Sequence, residues 1–331
     1  MSKRIIAIVA GGFSSEHDVS LRSAAGIQSF LDERRYISYI VVVEHDRWFV
    51  RLQSGDETDV DKNDFSFTYN GEKIVFDYAY ITIHGIPGES GQLQGYFDVL
   101  GISYSCCGVL AAALTCNKFI CNHFLEDFGF SIATSILFKP SDRSKYSEAE
   151  IKQRVMSEVG LPCFIKDNTG GSSYGCTKVK TEEQIIPAID TAFAEGGEVI
   201  VESFMKGTEV TCGVYKTKEK TIAFPLTEVV AHNEYFDYDA KYKGESDEIT
   251  PARIPAETAK RVQELTLQLY DLIGCKGIIR TDYIILDDGR INVMDINTTP
   301  GMTAASFIPQ QVAAAGLTMA EVLTDIIEDS F

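Results

Sequence analysis

A segment near the end of the chain carries acidic and basic side chains at spacings that could bind a metal ion. Segment 278–301 holds two runs rich in Ile and Val on either side of an Asp-Gly dipeptide at 288–289. Asp-Gly between two such runs is a strong signal for a β-hairpin with a two-residue turn. With that turn, Asp287 pairs with Arg290, and the pairing continues residue by residue along both strands.

This pairing places Asp282 opposite Asp295 and Arg280 opposite Asn297, and all four side chains then share one face of the hairpin. Two carboxylates about 5 Å apart repel each other unless a cation lies between them. Carboxylate and amide oxygens are ligands that suit magnesium. We therefore predict a magnesium site at Asp282, Asp295 and Asn297, with Arg280 holding an anion beside it. The alternative is an exposed polar face that meets water.

A loop with a lysine at its start is the second group that could do chemistry. Lys166 is followed by segment 167–175, which contains glycines and serines and joins two predicted strands. Such a loop can turn several backbone N–H groups inward and bind phosphate. Loops of this composition are also common structural connections. The predicted metal site favours the phosphate interpretation, because magnesium commonly bridges protein carboxylates and substrate phosphates.

Two further segments have the character of ligand contacts. Segment 199–205 resembles a strand that leads into a hinge, where backbone groups could pair with a purine edge. Glu202 and Glu209 belong to this region, and from the residues alone both are ordinary exposed glutamates. Segment 235–244 contains four aromatic residues without a regular period, which is typical of a lid over a ligand. The alternative is an aromatic cluster packed on the domain.

The elements that must position these residues begin as an alternation of strands and helices. The pattern predicts strands at 5–9, 39–43 and 78–83 and helices at 19–31 and 92–100. Such alternation predicts a parallel sheet covered by helices, and hence an α/β fold. A more strand-rich region follows, and a long helix is predicted near 257–273. Changes of pattern predict three domains, at 1–106, 107–208 and 209–331.

The composition disfavours several classes of protein. The chain has 331 residues, 45% of them hydrophobic, and a formal net charge of −18, so we expect a globular protein that repels nucleic acid. Its apolar runs are too short to cross a bilayer or to form a signal-peptide core, so no membrane partner is expected. The eight cysteines are then expected to be reduced thiols in a cytoplasm. Cys116, Cys121 and His123 are close in sequence, but their spacing favours buried thiols over a zinc site.

The signature motifs of several enzyme classes are absent from the sequence. No predicted strand is followed by G-x-G-x-x-G, and G-x-x-x-x-G-K-[ST] does not occur, so dinucleotide-binding and P-loop folds are disfavoured. The sequence also lacks G-x-S-x-G, H-E-x-x-H and a kinase catalytic loop.

The motifs that are present resemble, in their order, those of D-alanine–D-alanine ligases of the ATP-grasp superfamily. The likeness runs nearly from end to end, and several motifs are specific to these ligases within the superfamily. It rests on Gly11-Gly12, Ser15-Glu16, Val19-Ser20, His84-Gly85, Glu89, Gly91, Lys118, Lys166, Gly171-Ser172-Ser173, Glu202, Glu209, Ala240-Lys241-Tyr242, Arg280, Asp282, Asn297-Thr298 and Pro300-Gly301-Met302-Thr303. The resemblance implies an ATP-grasp fold of three domains, with the active site between the central and C-terminal domains.

The resemblance also implies ATP as co-substrate and magnesium as cofactor, with two magnesium ions expected and manganese as an alternative. The implied nucleotide-binding residues are Lys118, Lys166, Gly171, Ser173, Glu202, Ser203, Met205, Glu209 and Lys241. Among these, the lysines at 118 and 166 and the loop would hold phosphates. Glu202 and the backbone at 203 and 205 would bind adenine, and Glu209 the ribose. The implied metal ligands are again Asp282, Asp295 and Asn297.

The implied reaction joins two D-alanines for the synthesis of peptidoglycan precursors. The carboxylate of the first attacks the γ-phosphate of ATP and becomes an acylphosphate, and the amine of the second then displaces phosphate. The implied catalytic residues are Glu16, Ser172, Tyr242, Arg280, Gly301 and Ser306. Arg280 and the Gly301 N–H would stabilise the oxyanion. Ser306, near a helix N-terminus, would hold the carboxylate of the second D-alanine.

By the same resemblance, Glu16 binds the ammonium of the first D-alanine and connects through Ser172 to Tyr242. Structural alternatives exist for these residues. Glu16 could supply charge to the first turn of a helix, Ser172 could be a plain loop serine, and Ser306 could cap a helix. His84 resembles the family's active-site histidine, and a structural role explains it equally well.

Two residues depart from the family pattern. Asp295 stands where the family usually has Glu, which shortens the reach toward a second magnesium by one methylene. Asp167 stands where the family generally has Pro, and it places a negative charge next to Lys166 in the sequence. These departures motivate one alternative, a nucleotide-binding protein that no longer catalyses.

A ligase that uses D-lactate as the acceptor is a closer variant, and the Lys241-Tyr242 pair favours an amine acceptor over it. The family is usually dimeric, so a homodimer is expected.

Overall fold

Strand β1 (Arg4–Gly11), made mostly of β-branched and small apolar residues, is an inner strand of the first sheet. The computed structural model describes residues 3–52, 54–171, 175–231 and 246–331. The strands of the first sheet are β1 (Arg4–Gly11), β2 (Tyr36–Val43), β3 (Trp48–Arg51), β4 (Glu57–Asp61), β5 (Ser66–Tyr69), β6 (Glu72–Val75), β7 (Tyr78–Ile81) and β8 (Ser103–Tyr104). Residues 6–10 of β1 are completely buried, and β1 pairs in parallel with β2 and β7. Helices α1 (His17–Phe30) and α2 (Gln92–Leu100) pack against this sheet, close to the predicted positions.

The first sheet is mixed, which corrects the prediction of a parallel sheet for residues 1–106. Its strands run in the order β6-β5-β4-β3-β2-β1-β7-β8, and β3 to β6 extend it by antiparallel pairing. Short turns join these four strands, and a short turn connects only antiparallel neighbours. Asn70-Gly71 has φ of 50° and 80° in the turn between β5 and β6. That dipeptide is a hairpin signal contained in the sequence.

Two helices, α3 (Val109–Cys116) and α4 (Lys118–Asp127), and a short strand, β9 (Ser131–Ile132), lead to a second, antiparallel sheet. This sheet has the order β10-β13-β11-β12. Its strands are β10 (Ser135–Phe138), β11 (Cys163–Asp167), β12 (Thr177–Val179) and β13 (Val199–Ser203). It is accompanied by α5 (Asp142–Lys145), α6 (Glu148–Glu158), the 3₁₀ helix Glu182–Gln184 and α7 (Ile185–Glu195). Apolar residues of α6 and α7 form one core with the sheet.

The third sheet carries the hairpin predicted to bind metal. Its order is β17-β16-β14-β18-β19-β9, with β15 paired to β14. Its further strands are β14 (Gly207–Lys216), β15 (Thr221–Ala223), β16 (Thr227–Ala231), β17 (Ser246–Ile249), β18 (Gly277–Leu286) and β19 (Ile291–Asn297). The long helix α8 (Ala256–Ile273) lies where it is predicted and buries Val262 and Leu269 against this sheet.

Helices α3 and α4 also pack on the third sheet, although they precede the second in sequence. Ala112 and Leu125 are buried in one cluster with residues of α8 and β18, and β9 pairs in parallel with β19. This packing brings the start of α4, and with it Lys118, next to the predicted metal hairpin. The division of the chain into domains at 106 and 208 stays a prediction.

A buried glutamine fastens helix α9 (Phe307–Ala314) to the third sheet. The Oε1 of Gln311 accepts the Gly213 N–H at 2.8 Å, and its Nε2 donates to the Thr211 carbonyl at 3.0 Å and to Thr227 Oγ1 at 3.1 Å. A Cβ on Gly213 would collide with this helix, so the glycine permits the close approach. Buried polar groups destabilise a fold unless they are hydrogen-bonded, and Gln311 satisfies three groups at once.

The final helix, α10 (Met319–Glu328), begins with a capping box formed by Thr318 and Glu321. Its apolar face joins the core of β1, with Leu323 and Ile327 completely buried. Within the described ranges, no helix combines the length and the apolar character that crossing a membrane requires.

We predict that Gln311→Ala lowers the free energy of unfolding by about 3 kcal/mol, because it leaves the buried Gly213 N–H and Thr211 carbonyl without their partner. Gln310→Ala, on the same helix but half-buried, serves as the matched control and should cost less than about 1 kcal/mol. Urea denaturation followed by circular dichroism measures both. Equal losses would contradict the role given to Gln311.

Candidate active site

The hairpin of β18 and β19 places the predicted residues opposite each other, but its turn and its strand pairing differ from the prediction. Asp282 faces Asp295 and Arg280 faces Asn297, which confirms the two pairings. The predicted pairing of Asp287 with Arg290 is wrong. The Leu286 N–H donates to the Arg290 carbonyl at 2.9 Å, so the turn has three residues instead of two.

A β-bulge at Met294 restores the predicted pairing of Asp282 with Asp295. Tyr283 pairs with Val293 but Asp282 pairs with Asp295, so Met294 is the extra residue in the ladder. The longer turn shifts the pairing by one residue and the bulge shifts it back. The two deviations cancel before the site is reached.

Asp282 is held by three side chains of the described residues. Arg280 donates to both of its carboxylate oxygens, from Nε at 2.9 Å and from Nη2 at 2.8 Å. Thr211 Oγ1 donates to Oδ1 at 2.6 Å, and Asn297 Nδ2 donates to Oδ2 at 3.4 Å. Burial alone would lower the pKa of Arg280, but the nearby carboxylates, above all that of Asp282, raise it. The guanidinium therefore stays charged in this site.

Lys118, at the start of α4, pairs with the second carboxylate of the hairpin. Its Nζ lies 3.4 Å from Asp295 Oδ1, and only 12% of its side chain is exposed. Asn168 holds the start of the helix, since its carbonyl accepts the Lys118 N–H and its Oδ1 accepts the Phe119 N–H. Burial alone would lower the pKa of Lys118, but neighbouring acidic groups, above all Asp295, raise it above its usual value.

A second lysine–carboxylate pair links the two central strands of the second sheet. Lys166 Nζ on β11 lies 2.6 Å from Glu202 Oε2 on β13. Asn122 Nδ2, one turn after Lys118 on α4, donates to Glu202 Oε1 at 2.9 Å. Glu202 is 8% exposed, which corrects its description as an ordinary exposed glutamate. Burial alone would lower the pKa of Lys166, but the charge of Glu202 raises it above its usual value.

The charge of Asp167 does not lie beside the Lys166 ammonium, which corrects that expectation. Neighbouring residues of a strand point to opposite faces. The Asp167 carboxylate accepts the Thr169 N–H at 3.3 Å and approaches Thr169 Oγ1 at 3.4 Å, beneath Gly170. Burial raises the pKa of Asp167. The charge of Lys118 opposes this effect of burial, and the Asp167 carboxylate shapes the start of the loop.

The loop after β11 approaches Glu16. The implied phosphate-binding loop therefore lies next to the residue implied to bind the first D-alanine. A Cβ on Gly171 would collide with Oε2 of Glu16, and Glu16 is only 8% exposed. Glu16 occupies the cap position before α1 without capping the helix through its side chain. Its carboxylate therefore lies against the loop.

Ser306 precedes α9 but does not cap the helix through its side chain. Its Oγ lies 2.8 Å from Thr303 Oγ1 and accepts the Thr303 N–H at 3.1 Å. A Cβ on Gly301 would lie 3.0 Å from the same Oγ, so these two residues are close neighbours. Arg280 reaches the same helix, because its guanidinium lies 5.1 Å from the ring centre of Phe307.

The residues implied in adenine and ribose binding differ in their hydrogen-bond partners and in their burial. The Ser203 N–H donates to the Thr134 carbonyl at 2.9 Å, so that donor is engaged within the protein. Met205 Sδ accepts from Asn292 Nδ2 at 2.8 Å. Glu209 is half-buried on β14. Four implied residues lie outside the described residues, namely Ser172, Ser173, Lys241 and Tyr242, together with the whole predicted lid at 235–244.

His84 is buried next to Ser23. It is 8% exposed, and its Nε2 is 3.5 Å from Ser23 Oγ. Beside it, the Glu89 carboxylate accepts the Gly85 N–H at 2.7 Å and the Thr299 N–H at 3.4 Å, which joins the first sheet to the segment after β19. Burial raises the pKa of Glu89.

Asp282, Asp295 and Asn297 fit a magnesium ion by their donor chemistry, since two carboxylates face each other beside an amide. In the described part of the chain, no group of three or more His, Cys, Asp or Glu side chains is arranged to hold a metal ion. A cation at the hairpin would thus rely on the amide oxygen as its third protein ligand.

The sequence interpretation missed two residues that hold the site together. Asn122 orients Glu202, and its position four residues after Lys118 places both on one helix face, which is a readable signal. Thr211 donates to Asp282 from a neighbouring strand. No local sequence pattern predicts that contact, because Thr211 and Asp282 are 71 positions apart.

Solved structures share this arrangement of sheets over the whole chain. The VanG D-Ala:D-Ser ligase from Enterococcus faecalis matches with a TM-score of 0.87 at 30% identity, covering 100% of both chains. D-alanyl-alanine synthetase A from Vibrio cholerae matches with a TM-score of 0.87 at 28% identity, covering 99% of this chain and 98% of its own. A Bacillus anthracis ligase complexed with ATP matches with a TM-score of 0.75 at 26% identity, covering 99% and 97%. The fold is the ATP-grasp fold.

Sequence comparison identifies the family within this fold. The family models "D-ala D-ala ligase N-terminus" and "D-ala D-ala ligase C-terminus" match residues 5–107 and 124–328. A D-alanine–D-alanine ligase of Bacteroides fragilis is 62% identical over 99% of this chain and 100% of its own, and one of Porphyromonas gingivalis is 52% identical over 99% and 98%. The chain belongs to the D-alanine–D-alanine ligase family. It is an ATP-dependent ligase that joins D-alanines into D-alanyl-D-alanine for peptidoglycan synthesis.

We predict that Gly171→Ala lowers kcat/KM for D-alanine by at least about tenfold, because the added methyl group displaces the Glu16 carboxylate. Thermal unfolding should change little, since Gly171 is exposed. Gly197→Ala is the matched control, because a Cβ there has nothing within 4 Å. Unchanged kinetics in Gly171→Ala would show that the loop does not need to lie against Glu16.

Proposed function

We propose that the paired charges of this site bind Mg-ATP and two D-alanines in the roles that the sequence resemblance implies. The observation that carries this proposal is the meeting of three carboxylates and three cations, from four separate strands and a helix, in one partly buried site. Phosphoryl transfer relies chiefly on positioning and charge neutralisation, and such a cluster can supply both.

For the nucleotide, Lys118 and Lys166 hold phosphates together with the loop 170–173. The limited exposure of both lysine side chains, 12% for Lys118 and 21% for Lys166, supports this assignment. Glu202 and the backbone at 203 and 205 bind adenine, and Glu209 the ribose. Because the Ser203 N–H is engaged with Thr134, we assign the contact at 203 to its carbonyl group.

For the metal, we propose that Asp282, Asp295 and Asn297 hold magnesium, with manganese as a substitute. When bound, the cation would neutralise charge on the phosphates. Two ions are expected in this family, and the shorter side chain of Asp295 reaches less far toward a second one. The direct pairing of Asp282 with Asp295 supports the assignment.

For the chemistry, the carboxylate of the first D-alanine attacks the γ-phosphate of ATP, and ADP leaves. The amine of the second D-alanine then attacks the acylphosphate carbon, loses a proton and displaces phosphate. Arg280 and the Gly301 N–H stabilise the tetrahedral oxyanion. Glu16 binds the first ammonium and, with Ser172 and Tyr242, orients the substrate. Ser306 holds the second carboxylate, and its closeness to Gly301 supports this role.

We further propose that the enzyme is a cytoplasmic homodimer. Among the described residues no cysteine forms a disulfide, which is in keeping with a reducing compartment. Val99 on α2 and Leu110 on α3 are 87% and 80% exposed on neighbouring helices, and such apolar side chains favour contact with a second copy. Sedimentation analysis of the wild type and of Leu110→Glu tests the dimer.

The proposed acceptor is tested by incubating the purified protein with ATP, magnesium and D-alanine, and measuring phosphate and dipeptide. We expect phosphate release that depends on D-alanine, and no phosphate release with L-alanine. D-lactate and D-serine serve as competing acceptors, the latter because a D-Ala:D-Ser ligase shares the fold. If a mixed product forms preferentially, the second substrate is that competing acceptor and not D-alanine.

We predict that Asp282→Asn lowers kcat by at least about a hundredfold without unfolding the protein, because it removes one charge from the metal site. Asp287→Asn, in the exposed turn of the same hairpin, is the matched control and should leave kcat unchanged. Turnover close to wild type in Asp282→Asn would contradict the metal assignment.

Asp295→Glu should hold or raise activity, because the longer side chain restores reach toward a second cation. The rate is best compared over a range of magnesium concentrations. A large loss would mean that the pocket, including Lys118, has adapted to the shorter acid.

A further inference from the structure

The hydroxyl of Thr211 makes the shortest hydrogen bond to Asp282. Its Oγ1 lies 2.6 Å from Asp282 Oδ1, whereas the two contacts from Arg280 measure 2.9 Å and 2.8 Å and the contact from Asn297 measures 3.4 Å. Thr211 differs from the other two donors, because the proposed function gives it no direct contact with the substrate anion or the metal ion. Under the proposed function Arg280 is drawn to an anion and Asn297 to the metal, while Thr211 keeps Asp282 as its partner.

The position of this hydroxyl is fixed by its surroundings. Thr211 lies directly opposite Asp282 in the β14–β18 ladder and is 1% exposed. A β-branched side chain in a strand has little freedom at χ1. The backbone is fixed as well, because the Thr211 carbonyl accepts from the buried Gln311 at 3.0 Å.

We propose that Thr211 is a positioning residue that orients Asp282 for the metal. Its hydrogen bond to Oδ1 restrains the carboxylate of Asp282, which would hold the cation together with Asp295 and Asn297. A neutral donor restrains the carboxylate without supplying a competing positive charge. Partners of this kind typically change metal affinity by about 10- to 100-fold when they are removed. This inference rests on the proposed metal site at Asp282, Asp295 and Asn297.

Thr211→Val tests the proposal, since it removes the hydroxyl and keeps the shape. We expect it to weaken Mn²⁺ binding by about tenfold or more, measured on the full-length protein with saturating ADP by the electron paramagnetic resonance signal of free Mn²⁺. Thr211→Ala should weaken it similarly, and it serves if the valine variant fails to fold. Thr211→Ser keeps the donor and should restore most of the affinity.

Thr266→Val is the matched control. Thr266 is also completely buried, and its hydroxyl bonds to the Tyr283 hydroxyl at 2.8 Å instead of to the Asp282 carboxylate. It should lose stability without losing affinity for Mn²⁺. In steady-state assays, Thr211→Val should need more magnesium for half-maximal rate while KM for D-alanine stays unchanged.

Three results would overturn the proposal. Thr211→Val could bind Mn²⁺ as the wild type does while Asp282→Asn does not, and then only the role of Thr211 is wrong. Thr266→Val could lose as much affinity as Thr211→Val, which would make the effect a general loss of structure. Wild type and Asp282→Asn could bind Mn²⁺ equally, and then the proposed metal site is wrong and the role of Thr211 with it.

Discussion

Each carboxylate at the centre of the site is neutralised by a cation buried beside it, and the rest of the arrangement depends on this pairing. Asp282 pairs with Arg280, Asp295 with Lys118, and Glu202 with Lys166. A buried charge without a partner costs several kcal/mol, so strands from two sheets and a helix must meet at fixed positions. Under the proposed function, ligand binding exchanges these partners: phosphates would bind the cations, and a metal ion would bind the carboxylates of Asp282 and Asp295.

The parts of the site that follow from local rules could be predicted from the sequence. Alternation along β18 and β19 places four residues on one face, and a signal for a hairpin limits which of them can meet. The facing pairs Asp282–Asp295 and Arg280–Asn297 are therefore correct, although the turn is longer than predicted. The resemblance, which runs along nearly the whole chain, supplied the family and the fold.

Contacts between distant segments could not be predicted in this way. The pairing of Asn122 with Glu202 requires α4, which packs on the third sheet, to lie beside the second sheet as well. The pairing of Thr211 with Asp282 requires the strand order of the third sheet. The burial of Asp167 depends on the packing of the loop above it, which a sequence neighbour cannot reveal. The antiparallel part of the first sheet is a different case, because the dipeptide at 70–71 contained the signal.

The bulge at Met294 has a consequence for how the gene can change in length. Residue 294 separates two regular stretches of pairing, and its deletion would join them with every cross-strand partner retained. A three-base deletion at this codon therefore keeps Asp282 opposite Asp295. A deletion two codons later, at Ile296, would instead move Asn297 out of register with Arg280 and turn its side chain to the other face of the sheet. Along β19, the bulge marks the place where one residue can be lost in evolution without moving the site.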